Sequence, residues 1–315
     1  MSKYRFLTDY VGLAVVVILL VAFFGATTQH FLSADTFRNI ANQIPDRMAV
    51  AVGMTFVLII GGIDLSVGSV VALSGAVLGI CLVRYEMSLP VGLLFCLATG
   101  LICGLMNGVV VIAWRLPSFI VTLGMLEIAS GAAYLLSNSQ TQYIGGKVEA
   151  ITEINLFGLS LPFLLAAVIV AAGQFTLSNT LFGRHSLALG ANAEAARLSG
   201  IRTQLLTLAV FALSGLLAAV AGLIQCARLS AADPNAGAGF ELQAIAAVVI
   251  GGTSLMGGRG SVINSFFGVL IIAVLEVGLS TIGAQESTKR LVTGCVIVAA
   301  VVLDYYRHRL RVRNQ

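Results

Sequence analysis

The chain has 315 residues, 58% of them hydrophobic and only 10% charged, with a mean hydropathy of +0.98. A soluble domain carries about 25% charged residues, so there is too little polar surface here to cover a water-soluble globule, and the composition specifies an integral membrane protein. Disorder, collagen and secreted disulfide scaffolds are excluded, and a net charge of only +4, carried largely by the two ends, offers no surface for nucleic acid.

A helix needs roughly 20 apolar residues to cross a hydrocarbon core of about 30 Å. Ten apolar runs with few or no charges are candidate spans in chain order, near residues 10–28, 46–62, 65–83, 90–113, 117–137, 161–178, 204–225, 242–256, 261–282 and 290–305. The first follows Lys3 and Arg5, a start shared with cleavable signal peptides, but nine further runs favour a retained first helix. The expected fold is an all-α polytopic membrane protein of about ten transmembrane helices, forming one transmembrane domain over 1–315. With the N-terminus inside, 11 of the 18 Lys and Arg residues fall on the inner side, so both termini are expected in the cytoplasm, anchored most firmly by the Arg-rich tail after Asp304. A hydrophilic loop at 179–203 then lies in the cytoplasm and another at 138–160 lies outside. The five cysteines sit in apolar stretches with no C-x-x-C pair, which reads as packing rather than metal or redox chemistry.

The run 48–63 is only 16 residues long and abuts Gly61-Gly62-Ile63-Asp64-Leu65-Ser66 before another apolar stretch begins. A similar phrase recurs 190 positions later, where Ile60-Gly61-Gly62, Leu65 and Gly68 match Ile250-Gly251-Gly252, Leu255 and Gly258. Self-matching of a glycine-rich composition and an internal structural repeat both account for it. Interrupted helices place backbone polar groups where a polar solute reaches them. Gly61, Gly62, Asp64, Ser66, Gly251 and Gly252 are therefore candidates to border a translocation path, with Asp64 capping the helix that follows. Asn42, Gln43, Thr55, Ser66, Ser69, Asn107, Thr122 and Gln243 supply hydrogen-bonding groups suited to a hydroxyl-rich solute. The competing reading is that such side chains bond their own backbone or a neighbouring helix. Glu127 and Glu276 fall near the middle of runs, where an unpaired charge costs about 3 kcal/mol. Function and simple bonding to another helix both remain open for these two acids.

Enzyme chemistry finds little support. His30, His185 and His308 lie outside the runs or at their edges, which leaves no buried histidine acid–base pair. Gly252-Thr253-Ser254-Leu255-Met256-Gly257-Gly258-Arg259 has Gly-Arg where a phosphate-binding loop needs Lys followed by Ser or Thr, so ATP hydrolysis is expected only from a partner.

Residues 189–201 read as a short capped helix within the cytoplasmic loop. Asn192 suits the N-cap, Glu194 the positive end of the helix dipole, and Gly200 a left-handed stop. An ordinary connector is the plainer reading. Glu194-Ala195-Ala196, three residues and Gly200, however, resemble the EAA-x-x-x-G coupling loop of ATP-binding-cassette importer permeases, with Arg197 inside the motif. Ala51-Val52-Gly53-Met54-Thr55, Gly62-Ile63-Asp64-Leu65-Ser66-Val67-Gly68-Ser69 and the stretch from Gly239 to Leu255 are similar to ribose-type monosaccharide permeases, a family that includes branched-chain amino acid permeases. The resemblance runs in order along nearly the whole chain. One departure stands out: Ser130 precedes Gly131 where the family commonly has Arg, and Glu127 lies a turn earlier.

The resemblance implies a permease in the bacterial inner membrane that pairs with a second copy and receives its sugar from a periplasmic binding protein. It further implies two ATPase partners, which bind the ATP and Mg, and no cofactor on this chain. A gradient-driven carrier of a small polar solute, moving protons through Glu127 or Glu276, is the alternative, and a membrane scaffold a third.

Overall fold

The computed structural model describes residues 3–156 and 159–313. Described in chain order are helices α1 (Lys3–Thr27), α2 (Ala34–Gln43), α3 (Pro45–Ile59), α4 (Val67–Gly79), α5 (Leu89–Trp114), α6 (Ser118–Ser137) and α7 (Gly146–Glu153). There follow α8 (Leu161–Asn179), α9 (Leu181–Ala191), α10 (Ala193–Leu198), α11 (Thr203–Leu229), α12 (Phe240–Ile250), α13 (Val262–Thr281) and α14 (Glu286–Arg313). Two small antiparallel pairs complete the chain. β1 (Gln142–Tyr143) joins β4 (Ala231–Ala232), and β2 (Asn155–Leu156) joins β3 (Leu159–Ser160).

Among the described residues, six helices are long and apolar enough to cross a membrane: α4 with the π-helical turn Ile80–Arg84 that continues it, α5, α6, α8, α11 and α13. The other four apolar runs also fall on helices, but two are cut short. α3 has 15 residues and α12 has 11, which at 1.5 Å per residue reach about 22 and 16 Å, less than a hydrocarbon core. The sequence runs extended past these helix ends because Gly, Thr and Ser carry no charge to mark the stop. α1 and α14 have 25 and 28 residues, with an apolar stretch Val11–Thr27 in α1. The Arg-rich tail expected to anchor the inner side lies, from residue 303 on, outside the residues whose side chains are described.

The core is built on α3 and α11. Every residue of α3 except Arg47 is buried, and α11 packs along α5, α3 and α4. Along α11 the closest approach pairs Gly100 of α5 with Gly215 of α11. A Cβ on either would stand 2.2 or 2.1 Å from the other's carbonyl oxygen, so these backbones touch as only small residues permit. Outward faces are apolar instead, as at Leu94, Ile102 and Met106 of α5 and Val168 and Phe175 of α8. Such faces suit lipid or another membrane chain, since without water there is no cost to leaving them uncovered by the fold itself. Where the π turn after α4 loosens the regular ladder, Lys147 Nζ donates to Leu82 O at 2.7 Å. Cys81, Cys96, Cys103 and Cys226 are buried free thiols within this packing.

Candidate functional site: two helix breaks and a capped helix

Both Gly-Gly phrases are helix stops of one kind. After α3, Gly61 N donates to Leu58 O and Gly62 N to Val57 O, each at 2.9 Å. After α12, Gly252 N donates to Val249 O at 2.8 Å and Thr253 N to Val248 O at 3.1 Å. These are Schellman motifs, in which a left-handed residue lets two amides turn back onto the last free carbonyls. The left-handed positions are Gly61 (φ +78°) and Gly252 (φ +81°), one residue out of step with the sequence match. The recurring phrase thus encodes the same stop twice. The loop that follows the second stop returns to the end of α3, where Gly258 N donates to Ile59 O at 2.8 Å.

A buried polar network holds the first break. Asp64 Oδ1 accepts from Ser66 N at 3.0 Å and Ser66 Oγ at 2.6 Å, and Oδ2 accepts from Ser214 Oγ of α11 at 2.8 Å. Asn107 Nδ2 of α5 donates to Ser66 Oγ at 2.9 Å. From α6, Ser118 Oγ accepts from Ile63 N at 2.9 Å, while Thr122 Oγ1 accepts from Leu65 N and donates to Ile63 O, both at 3.1 Å. Asp64, Ser66, Asn107, Thr122 and Ser214 are all buried. This corrects the cap expected of Asp64. Its carboxylate bonds Ser66, the residue that begins α4, rather than an amide inside the helix, and it ties the break to α11 through Ser214.

Most of the hydroxyl and amide groups expected to meet a solute are engaged the same way. Thr55 Oγ1 bonds Ala51 O and, at 2.8 Å, Ser265 Oγ of α13. Ser69 Oγ donates to Ser66 O, and Gln43 Nε2 to Asn39 Oδ1. Two buried oxygens among these groups, Asn107 Oδ1 and Gln243 Oε1, have no partner among the described residues, and Gln243 faces a narrow cleft with Arg47, Val50, Phe240 and Ala247. Gly251 ends α12 on a buried backbone, facing Asn264 of α13.

At the far end of α3 two ion pairs fix its first turn. Arg228 Nη2 of α11 lies 3.0 Å from Asp46 Oδ2, with Asp46 only 1% exposed. Arg47 Nη1 donates to Glu276 Oε2 of α13, with side chains 22% and 19% exposed. The acid expected to need a partner at 276 therefore has one. Replacing Glu276 with Gln leaves a largely buried guanidinium without its counter-charge, and thermal unfolding in detergent is expected to show a loss of about 1–3 kcal/mol. Unchanged stability would show that the pair contributes nothing. Glu127, by contrast, lies exposed on α6 beside the exposed Leu123 and Ile128.

α10 is capped at both ends. Asn192 Oδ1 accepts from Ala195 N at 3.0 Å. Gly200, at φ +82°, donates to Arg197 O, and Ile201 N donates to Ala196 O, a third Schellman stop. Glu194 grips Arg197 bidentately, with Arg197 Nη2 to Oε1 at 2.6 Å and Nε to Oε2 at 3.1 Å. These hydrogen bonds, and then the guanidinium charge, hold the Glu194 carboxyl below its ordinary range. The pair is therefore intact above the ordinary carboxylate range and is lost as pH falls through the lowered value. Ala196 is buried against the fold, Ala195 is exposed, and Leu198 stands 74% exposed. Beside α10 a groove of about 430 Å³ is lined by Phe182, His185, Gly200, Arg202 and Leu205. Among the described residues no three His, Cys, Asp or Glu side chains gather as a metal site requires.

Sequence reasoning missed Ser118 and Ser214, whose local contexts are those of ordinary small helix residues. Only the fold brings Ser214 to Asp64 and Ser118 to Ile63 N.

Comparison with known proteins is consistent with this architecture. Residues 36–301 match the family described as branched-chain amino acid transport system / permease component. Ribose import permease protein RbsC of Escherichia coli (strain K12) is 37% identical over 299 residues, 92% of each chain. Fructose import permease protein FrcC of Rhizobium meliloti is 33% identical, over 94% of this chain and 85% of its own. Xylose transport system permease protein XylH of Escherichia coli (strain K12) is 35% identical, over 94% and 91%. No solved structure matches significantly. With the family spanning most of the chain, and relatives above 30% identity along nearly its whole length, the chain belongs to the branched-chain amino acid transport system / permease component family.

Proposed function

We propose that this chain is the transmembrane permease subunit of an ATP-binding-cassette importer, forming the path for a ribose-like monosaccharide across the bacterial inner membrane. The observation that carries the reading is α10. It is an exposed, doubly capped helix seated beside two helix breaks, in a chain whose relatives are named as ribose, fructose and xylose permeases. A separate ATPase docks on α10 and the adjoining groove, where the exposed Leu198 and Leu205 offer apolar contact. That ATPase, and not this chain, binds ATP and Mg. A periplasmic binding protein delivers the sugar. Transport is a shift between outward-open and inward-open populations, driven by differential binding of the partners.

In this reading α1, α14, and α3 and α12 each with its break complete ten crossings, with both termini, α10 and the breaks on the cytoplasmic side. Glu127 supports a second copy of the chain as a partner. A carboxylate facing lipid at mid-span costs about 3 kcal/mol, so the exposed face of α6 fits a dimer interface in which Glu127 borders the path. The apolar outer faces of α5 and α8 are left to lipid. The gradient-driven alternative is weakened at Glu276, which Arg47 already neutralises.

Gentle detergent purification of the tagged chain from its native membrane tests the reading. An ATPase is expected to co-purify and to be released by substitution at Gly200. Recovery of the chain without an ATPase, under conditions that retain other membrane complexes, contradicts it.

A further inference from the structure

The end of α9, the break after α3 and the break after α12 meet backbone to backbone at one point, two residues before the N-cap of α10. Ile59 O already accepts from Gly258 N at 2.8 Å. A Cβ on Gly190 would stand 1.7 Å from that same Ile59 O and 2.5 Å from Gly258 N. From the other side, a Cβ on Gly257 would stand 2.9 Å from Gly190 O and 3.0 Å from Gly61 N. Gly258 (φ +74°) lies against Ala191, whose Cα is 2.9 Å from where its Cβ would sit. No side chain separates the three segments.

That arrangement has a mechanical consequence. A side-chain contact absorbs displacement by changing rotamer, whereas touching backbones in a close-packed interior have no such freedom. A shift of about 1–2 Å at α10, the usual scale of helix movement at an interface, therefore displaces both breaks or breaks the junction. On its other side α10 is loosely held. The linker to α11 turns at Gly200, where a Cβ would meet nothing within 4 Å, and the 430 Å³ groove lies open beside it. Displacement of the first break then reaches α4, α5, α6 and α11 through the hydrogen bonds gathered around Asp64 and Ile63.

We infer that the contact of Gly190 with Ile59 and Gly258 is where movement of α10 is delivered to both helix breaks together, with Gly190 as a positioning residue for transport. This inference rests on the importer reading, and its test separates the two. The chain is reconstituted in proteoliposomes with its ATPase and binding protein, and three quantities are read: ATPase retained, ATP hydrolysed, and uptake of labelled ribose, fructose or xylose.

Gly190→Ala is expected to reach the membrane, keep its ATPase and hydrolyse ATP, while sugar taken up per ATP falls about tenfold, a coupling loss of ordinary size. Gly12→Ala, where a Cβ meets open space, is expected to match the wild type. Should Gly190→Ala fail to reach the membrane, Ala191→Leu adds bulk at an exposed position beside the same junction and is expected to lower the ratio in the same direction. An unchanged ratio overturns the inference, including the case in which hydrolysis and uptake fall in parallel, as simple structural damage would produce. Absence of ATP-dependent uptake by the wild type overturns the importer reading instead.

Discussion

Asp64→Ala is expected to cost about 3–5 kcal/mol of stability, read as early thermal unfolding in detergent. Three buried donors lose their acceptor: Ser66 N, Ser66 Oγ and Ser214 Oγ. Each orphaned buried group costs about 1–3 kcal/mol, and the hydroxyls recover part of that by turning to other acceptors. Ser66 N has no such freedom, because its direction is fixed by the backbone that starts α4. Asp64→Asn keeps one acceptor oxygen and is expected to cost roughly half as much. The damage should concentrate where α4, α5, α6 and α11 converge. An Asp64→Ala protein as stable as the wild type would show that the carboxylate does not hold the break.

At α10 the largest expected effect is on transport rather than folding. Gly200 has φ +82° and open space around it, so Gly200→Val causes no collision but forces a β-branched residue into a left-handed conformation, at about 1–3 kcal/mol. The chain relieves that strain by opening the Schellman stop, which frees the carbonyls of Ala196 and Arg197 and moves Leu198. Glu194→Lys acts differently. It sets a second cation beside Arg197 and at the positive end of the helix, where like charges repel. Both positions are exposed, so membrane levels of the chain should stay normal. Uptake is expected to fall about 10- to 100-fold in each. Normal uptake in both variants would remove α10 from the coupling path.

The breaks and α10 were legible in the sequence because their signals are local. A glycine one residue past a helix end, or an Asn with Ala195 three residues on, acts over one turn of chain. The same locality explains the overestimated lengths of the second and eighth runs, where hydropathy passes through glycine but the backbone does not. Partners set by tertiary packing left no trace. Arg47 and Glu276 are 229 positions apart and Ser214 lies 150 from Asp64, distances that only the fold closes. The polar side chains expected to meet sugar turned inward for a related reason. A broken helix exposes backbone amides that must be bonded, and Thr122, Ser118 and Asn107 are the nearest groups able to do so or to brace those that do.

The most direct test of the importer reading is sugar uptake by proteoliposomes holding the chain with its ATPase and binding protein, with no ion gradient imposed. Uptake of labelled ribose, fructose or xylose is predicted to require ATP inside the reconstituted ATPase compartment and the binding protein opposite, and to persist when protonophore is added. Uptake that proceeds without ATP once a proton gradient is imposed, and that collapses with that gradient, would contradict the account.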